Sequence, residues 1–385
     1  MDAVRLALIG GALWVAGVVA VAAGILPLAD AFAIADRVWP ILLFVVAITV
    51  VAELAATAGV FDVAADALAR FARGRTLALW LLIVALAVAA TSLLSLDTTA
   101  VLLTPVVITI ARAHRLDVMP FAFTTVWLAN TASLVLPVSN LTNLLAADRL
   151  GAGPLQFAAL LGLPALIAII VTVLLLWILH RRALRGRYPA APRPTISDRL
   201  QLRAAAVIVV LLLPLLVSGI PPWIPATGAA VLLIALFVWR SPSVIHAALV
   251  PWQLVIFASG LFLAIAALEA AGSRAILEVI AGTGSDLPSL WQLAGVGMLG
   301  ANAIDNLPAY LALESVADSP ARLGALLVGV NAGSLITPWA SLATLLWHQR
   351  LQALGVEVVW RRYMLIGLLA APLVVGLSVI PLAFG

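Results

Sequence analysis

Two aspartates stand out by their surroundings. Asp97 lies in Ser95-Leu96-Asp97-Thr98-Thr99, and Asp305 lies in Asn302-Ala303-Ile304-Asp305-Asn306; each stretch interrupts a long apolar segment. A carboxylate buried among apolar residues is costly to maintain, so it marks an ion or proton path by default. A buried carboxyl can also take up and release a proton as its surroundings change. The simpler role is capping, and Asp97 before Thr98 fits a helix N-cap. Glu53 and Glu269 also sit within apolar segments, and Glu53 joins Asp97 and Asp305 as a candidate for proton coupling. Glu314 reads as interfacial.

Hydroxyls and amides gather around the same interruptions. The first half supplies Thr98, Thr99, Asn130, Thr131, Ser133, Ser139, Asn140, Thr142 and Asn143. The second supplies Asn302, Asn306, Asn331, Ser334, Thr337, Ser341 and Thr344. Such groups both donate and accept hydrogen bonds, which suits a small polar solute carrying several oxygens. No basic residue falls among them, so a di- or tricarboxylate would lack an Arg or Lys partner. A neutral or weakly charged solute fits better. Trp127 and Trp339 flank the interruptions and read as packing residues. The interruptions hold no His, Cys or Lys, so an enzyme's nucleophile and base are not expected, nor is a cofactor. The chain has no cysteine and four histidines near predicted helix ends, so no metal site is expected either.

The elements that carry these groups follow from composition. Of 385 residues, 64% are hydrophobic and 10% are charged, far from the balance of a soluble domain. A soluble globular protein, a disordered chain and a nucleic-acid binder are excluded. The apolar runs are long and continuous, as in Leu160 to Leu179, without the alternation of a membrane β-barrel. The fold class is an all-α polytopic membrane protein. Residues 5–28, 39–60, 156–180, 204–219, 223–239, 249–271 and 363–383 read as spanning helices, and 5–28 as the first of them rather than a cleaved leader. Segments 76–111, 118–147, 288–316 and 321–347 are interrupted.

Arginine placement sets the orientation. All 21 basic residues are Arg, and seven of them (181, 182, 185, 187, 193, 199 and 203) crowd the linker 181–203, which is therefore placed in the cytoplasm. Walking outward, both ends of 76–111 fall on the cytoplasmic side and both ends of 288–316 on the opposite side. Each is then a re-entrant hairpin, with Asp97 or Asp305 at its tip. About ten crossings result, with the N-terminus inside and the C-terminus outside. Only Arg37, Arg149, Arg274 and Arg322 fall on the far side.

The halves also repeat. Asn130-Thr-Ala-Ser-Leu-Val-Leu-Pro137 matches Asn331-Ala-Gly-Ser-Leu-Ile-Thr-Pro338 at an offset of 201, and a gap-shifted match pairs Asp97 with Asp305. This gives a first inverted repeat (1–180), a cytoplasmic linker (181–203), and an extra crossing plus a second inverted repeat (204–385). Inverted repeats with paired broken helices mark secondary transporters, whose sites lie near the midplane.

Leu96-Asp-Thr-Thr-Ala-Val-Leu-Leu-Thr-Pro105 resembles the first hairpin of the ion transporter superfamily. Residues 128–143, Asn302-Ala-Ile-Asp-Asn-Leu-Pro308 and residues 336–347 resemble the arsenite efflux pump family. The resemblance spans most of the chain. It implies a scaffold and a transport domain that moves as an elevator, and export of trivalent arsenic or antimony hydroxide against inward proton flow. It leaves open a homodimer and, for an arsenic pump, a soluble ATPase partner. The family carries an acid where this chain has Asn130 and an amide where it has Asp305. Sodium–carboxylate symport and sodium–proton antiport are the alternatives within the superfamily. The expected setting is the inner or plasma membrane, with lipid, a small inorganic solute and a coupling ion (a proton or sodium) as partners.

Overall fold

The computed structural model describes residues 3–189 and 195–384, and among them there are helices and no strands. Arg193, one of the linker arginines, lies outside the described residues. Eight helices are long and apolar enough to cross a membrane, and the chain is a multi-pass membrane protein.

The first half runs α1 (Ala3–Ala22), α2 (Leu28–Thr57) and α3 (Val60–Phe71), then α4 (Thr76–Leu94) and α5 (Leu96–Ala113). It continues with α6 (Met119–Thr131), α7 (Leu141–Leu150) and α8 (Pro154–His180). The second half has α9 (Arg199–Leu216), α10 (Trp223–Arg240), α11 (Trp252–Ala270) and α12 (Ser273–Ala281). Then come α13 (Leu287–Ile304), α14 (Asn306–Glu314), α15 (Pro320–Leu327), α16 (Leu342–Ala353) and α17 (Trp360–Val379).

Two helices differ from the sequence expectation. The basic stretch after α2 is helix α3, which buries Phe61, Ala65 and Ala69 on one side and presents Asp62, Asp66 and Arg70 on others. α12, which follows α11 in the second half as α3 follows α2 in the first, exposes Ile276, Val279 and Ile280. Both are too short to span, which is why a search for spanning hydrophobicity passes over them. They are amphipathic, with apolar residues recurring at helical spacing.

α1 packs along α11, and α2 along α10. In the first pair a Cβ on Gly260 would collide with the Gly10 carbonyl, so the backbones cross closely through small residues. Trp14 Nε1 adds a bond to Ser259 Oγ at 2.9 Å. These four helices form one wall. The paired hairpins and broken helices form the other.

Each hairpin has its open end tied together. For α4–α5, the chain at 186–189 does this. Thr76 N donates to Gly186 O at 3.3 Å, and Tyr188 N donates to Gly74 O at 2.9 Å. His114 Nδ1, just past α5, donates to Pro189 O at 2.7 Å, and its ring packs edge-on against Tyr188. For α13–α14, Arg322 does it from a fully buried position. Its guanidinium donates to Gly282 O and to Gly284 O (2.6 Å) before α13, and to Val316 O (3.1 Å) after α14. The two ends of each hairpin therefore lie side by side. α14 has nine residues, so it rises only about 14 Å, near half a bilayer.

Three of the four arginines that the sequence puts on the far side are ion-paired: Arg37 with Asp148 and Glu314, Arg274 with Glu278, and Arg322 with Asp318.

Candidate functional site

All four chain breaks open onto one cavity of about 520 Å³. The hairpins contribute residues 95–97 and 304–308. The broken helices contribute Val138, Asn140 and residues 339–345 in part. α1, α2 and α11 close the other side with apolar residues such as Leu13, Phe44 and Phe257. Asp97, Asn140, Asp305, Asn306 and Ser341 line this cavity, as do Ser95 and Thr49, which the sequence reading passed over. None of its lining residues is basic.

The hairpin tips are built alike. α4 ends and α5 begins at Ser95 (φ 137°, ψ 163°), and α13 ends and α14 begins at Asp305 (φ 113°, ψ 155°). This backbone region is nearly confined to glycine. Each residue then caps the next helix: Ser95 Oγ accepts from Thr98 N at 3.2 Å, and Asp305 Oδ1 accepts from Leu307 N at 3.1 Å. Ser95, not Asp97, is thus the counterpart of Asp305. Asp97 stands in the first turn of α5, where the helix N-terminus favours a carboxylate. The gap-shifted match of Asp97 to Asp305 misplaced the tip by two residues, because nothing in the residue types marks the positive φ at Ser95.

Most other candidates hold the breaks together. Asn331 Oδ1 accepts from Asn140 Nδ2 (3.0 Å) and Thr142 Oγ1 (2.9 Å), and Asn331 Nδ2 donates to Asn143 Oδ1 (2.8 Å). Asn143 Nδ2 donates to the carbonyls of Ser133 and Leu136, and so does Ser139 Oγ. Asn302 Oδ1 accepts from Ile336 N (3.1 Å) and Thr337 N (3.0 Å). Its carbonyl accepts from Thr337 Oγ1 and Trp339 Nε1, both at 2.8 Å. Thr131, Ser133 and Ser334 bond to carbonyls within their own turns, and Thr99 pairs with Thr91 at 2.8 Å. Unwound backbone in a membrane protein must be satisfied internally, and these amides do that. Asn130 Oδ1, Ser341 Oγ and Thr344 Oγ1 are buried without a protein partner.

A second cavity of about 250 Å³ shares Asp97, Thr49, Leu254 and Leu342 with the first. Thr98, Glu53, Gln349 and Arg350 also line it. Glu53 Oε1 lies 3.9 Å from Arg350 Nη2. A basic residue therefore lines a cavity that Asp97 also lines, where the sequence suggested none. Its position a full α16 turn and more beyond the break hid it. Among the described residues, no group of His, Asp and Glu could hold a metal.

Paired hairpins, paired broken helices and a shared, mostly apolar cavity that holds two carboxyls define a membrane transporter. The citrate transporter family model matches residues 4–322, and the chain belongs to this family. The chain is 30% identical to an arsenical pump membrane protein of Escherichia coli, over 94% of this chain and 90% of that one. It is 29% identical to the arsenical pump membrane protein of Yersinia enterocolitica over the same shares. A 46 kDa membrane protein of Mycobacterium leprae is 26% identical over 70% of this chain.

Proposed function

We propose that the protein exports arsenite and antimonite as neutral trihydroxides in exchange for protons, by an elevator motion of the hairpin and broken-helix wall against α1, α2, α10 and α11. The observation that carries this reading is the pair Asp97 and Asp305 in one cavity whose lining has no basic residue. Two unpaired carboxyls suit a proton or a cation and disfavour an anion. A pyramidal trihydroxide is neutral near pH 7, and Asn140, Asn306 and Ser341 offer it donors and acceptors. Without cysteine there is no thiolate to trap arsenic, so release is easy. The relatives named arsenical pumps support the same solute.

A second reading is sodium-coupled uptake of a carboxylate, supported by the citrate transporter family and by Arg350 in the second cavity. Arg350 already faces Glu53, which answers part of its charge. Everted vesicles decide between them. Arsenite accumulation that follows an imposed pH gradient and ignores a sodium gradient is expected. Sodium-dependent citrate flux with no arsenite flux would overturn the reading.

A further inference from the structure

Asn130 and Asn331 occupy equivalent places in the two broken segments, 201 residues apart. Asn331 is fully partnered by Asn140, Thr142 and Asn143. The same offset sets Asn130 against Ser341, Ala343 and Thr344. Each is shorter than, or less polar than, its counterpart. The side chains that close one half-site therefore do not reach across the other.

The atoms left there agree. Asn130 Oδ1, Ser341 Oγ and Thr344 Oγ1 are buried and unpartnered, and so are Trp127 Nε1 and Tyr363 OH. Trp127 precedes Asn130 by about one turn on α6, and Ser341 precedes Thr344 by the same spacing at the start of α16. The Tyr363 hydroxyl, on α17, lies beside both Thr344 and Trp127, although neither pair attains hydrogen-bond geometry. All five residues are 0% exposed. Aromatic rings seal the layer: Phe123 packs against Trp127, Tyr363 and Trp347.

The atom types select the ligand. Trp127 Nε1 only donates and Asn130 Oδ1 only accepts, so an occupant that reached both would have to do both. The indole N–H opposes a bare cation, and the acceptor Asn130 Oδ1 opposes an anion. A hydroxyl oxygen satisfies both. Buried polar sites of this kind hold ordered water bonded to several groups. Ser341 also lines the main cavity, so the site lies directly behind that cavity's wall.

We propose that Trp127, Asn130, Ser341, Thr344 and Tyr363 form a second binding site, behind the main cavity, for a neutral hydroxylic ligand: an ordered water or a hydroxyl of the transported solute. The ligand takes the place that the Asn143 amide fills in the other half. The solute alternative rests on the trihydroxide reading above; the water alternative does not.

The test is electron cryomicroscopy of the full chain in lipid nanodiscs, without solute and with antimonite, whose heavy atom marks itself in the map. Density within hydrogen-bond reach of Trp127 Nε1 and Tyr363 OH in the solute-free map is the expected result and identifies water. An antimony peak beside Ser341, with density on the same donors only when antimonite is present, identifies the solute hydroxyl. Absence of density at these atoms in both maps overturns the proposal, whether or not arsenite is transported. Thr344→Asn restores the residue of the other half and is expected to displace the density. If that variant does not fold, Tyr363→Phe is expected to weaken the density by removing one of its partners. Unchanged density in the folded variant would also overturn it.

Discussion

Ser95 and Asp305 share one backbone conformation at the tips of the two hairpins, and each caps the helix that follows it. At Asp305 capping and charge coincide in one side chain. They separate by substitution. Asp305→Asn keeps the cap and tolerates positive φ, so the protein should fold normally and lose pH-driven efflux. Asp305→Ala loses the cap as well, worth about 1 kcal/mol. Melting temperature and efflux measured on both variants check this. Full efflux by Asp305→Asn would remove the carboxyl from the mechanism.

Asp97 offers the cleaner assay, because the cap of its helix is Ser95. Asp97→Asn should leave the fold intact and slow proton-driven efflux by at least about tenfold, an effect of ~1.4 kcal/mol. Ser95→Ala should do the reverse, lowering stability by about 1 kcal/mol through the lost cap while keeping coupling. Initial rates in vesicles against melting temperature separate the two.

The sequence showed the four breaks and most of the residues in them, because polar side chains interrupt long apolar runs there. It did not show which of those residues face the cavity. Asn302, Asn331 and Asn143 look like ligands by type, yet their amides bond to protein groups across the breaks. That distinction depends on how two segments 201 residues apart meet. Arg322 was invisible for a related reason: a buried guanidinium bonded to carbonyls reads, in sequence, like any loop arginine. α3 and α12 were missed because neither has the length of a span.

Arg322 should be structural. Its guanidinium serves three carbonyls on both sides of the second hairpin. Arg322→Lys cannot form that fork, and each buried group left unpaired costs about 1–3 kcal/mol. The variant should melt well below the wild type. Once folded at low temperature it should retain its affinity for solute. A wild-type melting temperature would show that the clamp is dispensable.

Asp198 gives a pH signature outside the membrane segments. It caps α9, accepting from Leu200 N and Gln201 N, and pairs with Arg240 at the end of α10. The Gln201 N–H and the Arg240 guanidinium hold its carboxyl below the usual carboxylate range. A depressed folded pKa contributes stability above the unfolded value and loses it as pH falls through the folded one. Comparison of wild type with Asp198→Ala should therefore show a constant stability difference between neutral pH and about pH 5, shrinking in stronger acid. Asp198→Asn should keep the cap and lose only the solvent-screened pair with Arg240, a smaller change than the alanine variant shows. Thermal unfolding across that pH range measures both.

Arg37 joins the two walls. It projects from α2 and meets Asp148 on α7 at 2.8 Å and Glu314 at the end of α14 at 2.7 Å, where Tyr310 OH also donates to Glu314. The two pairs differ in weight. The Asp148 side chain is 50% exposed, so removing it should matter by no more than about 1 kcal/mol. The Glu314 side chain is 8% exposed, so Arg37→Gln strands a buried carboxylate and should destabilise this arrangement by about 1–3 kcal/mol. If the hairpin wall slides along α2, this junction has to open in every cycle. The chain has no cysteine, so a pair introduced by Arg37→Cys and Asp148→Cys is the sole thiol pair present. Bridging it with a reductant-cleavable bis-thiol cross-linker should stop transport, and reductant should restore it. Unimpaired transport with the bridge fully formed would mean that the walls do not move apart at this point.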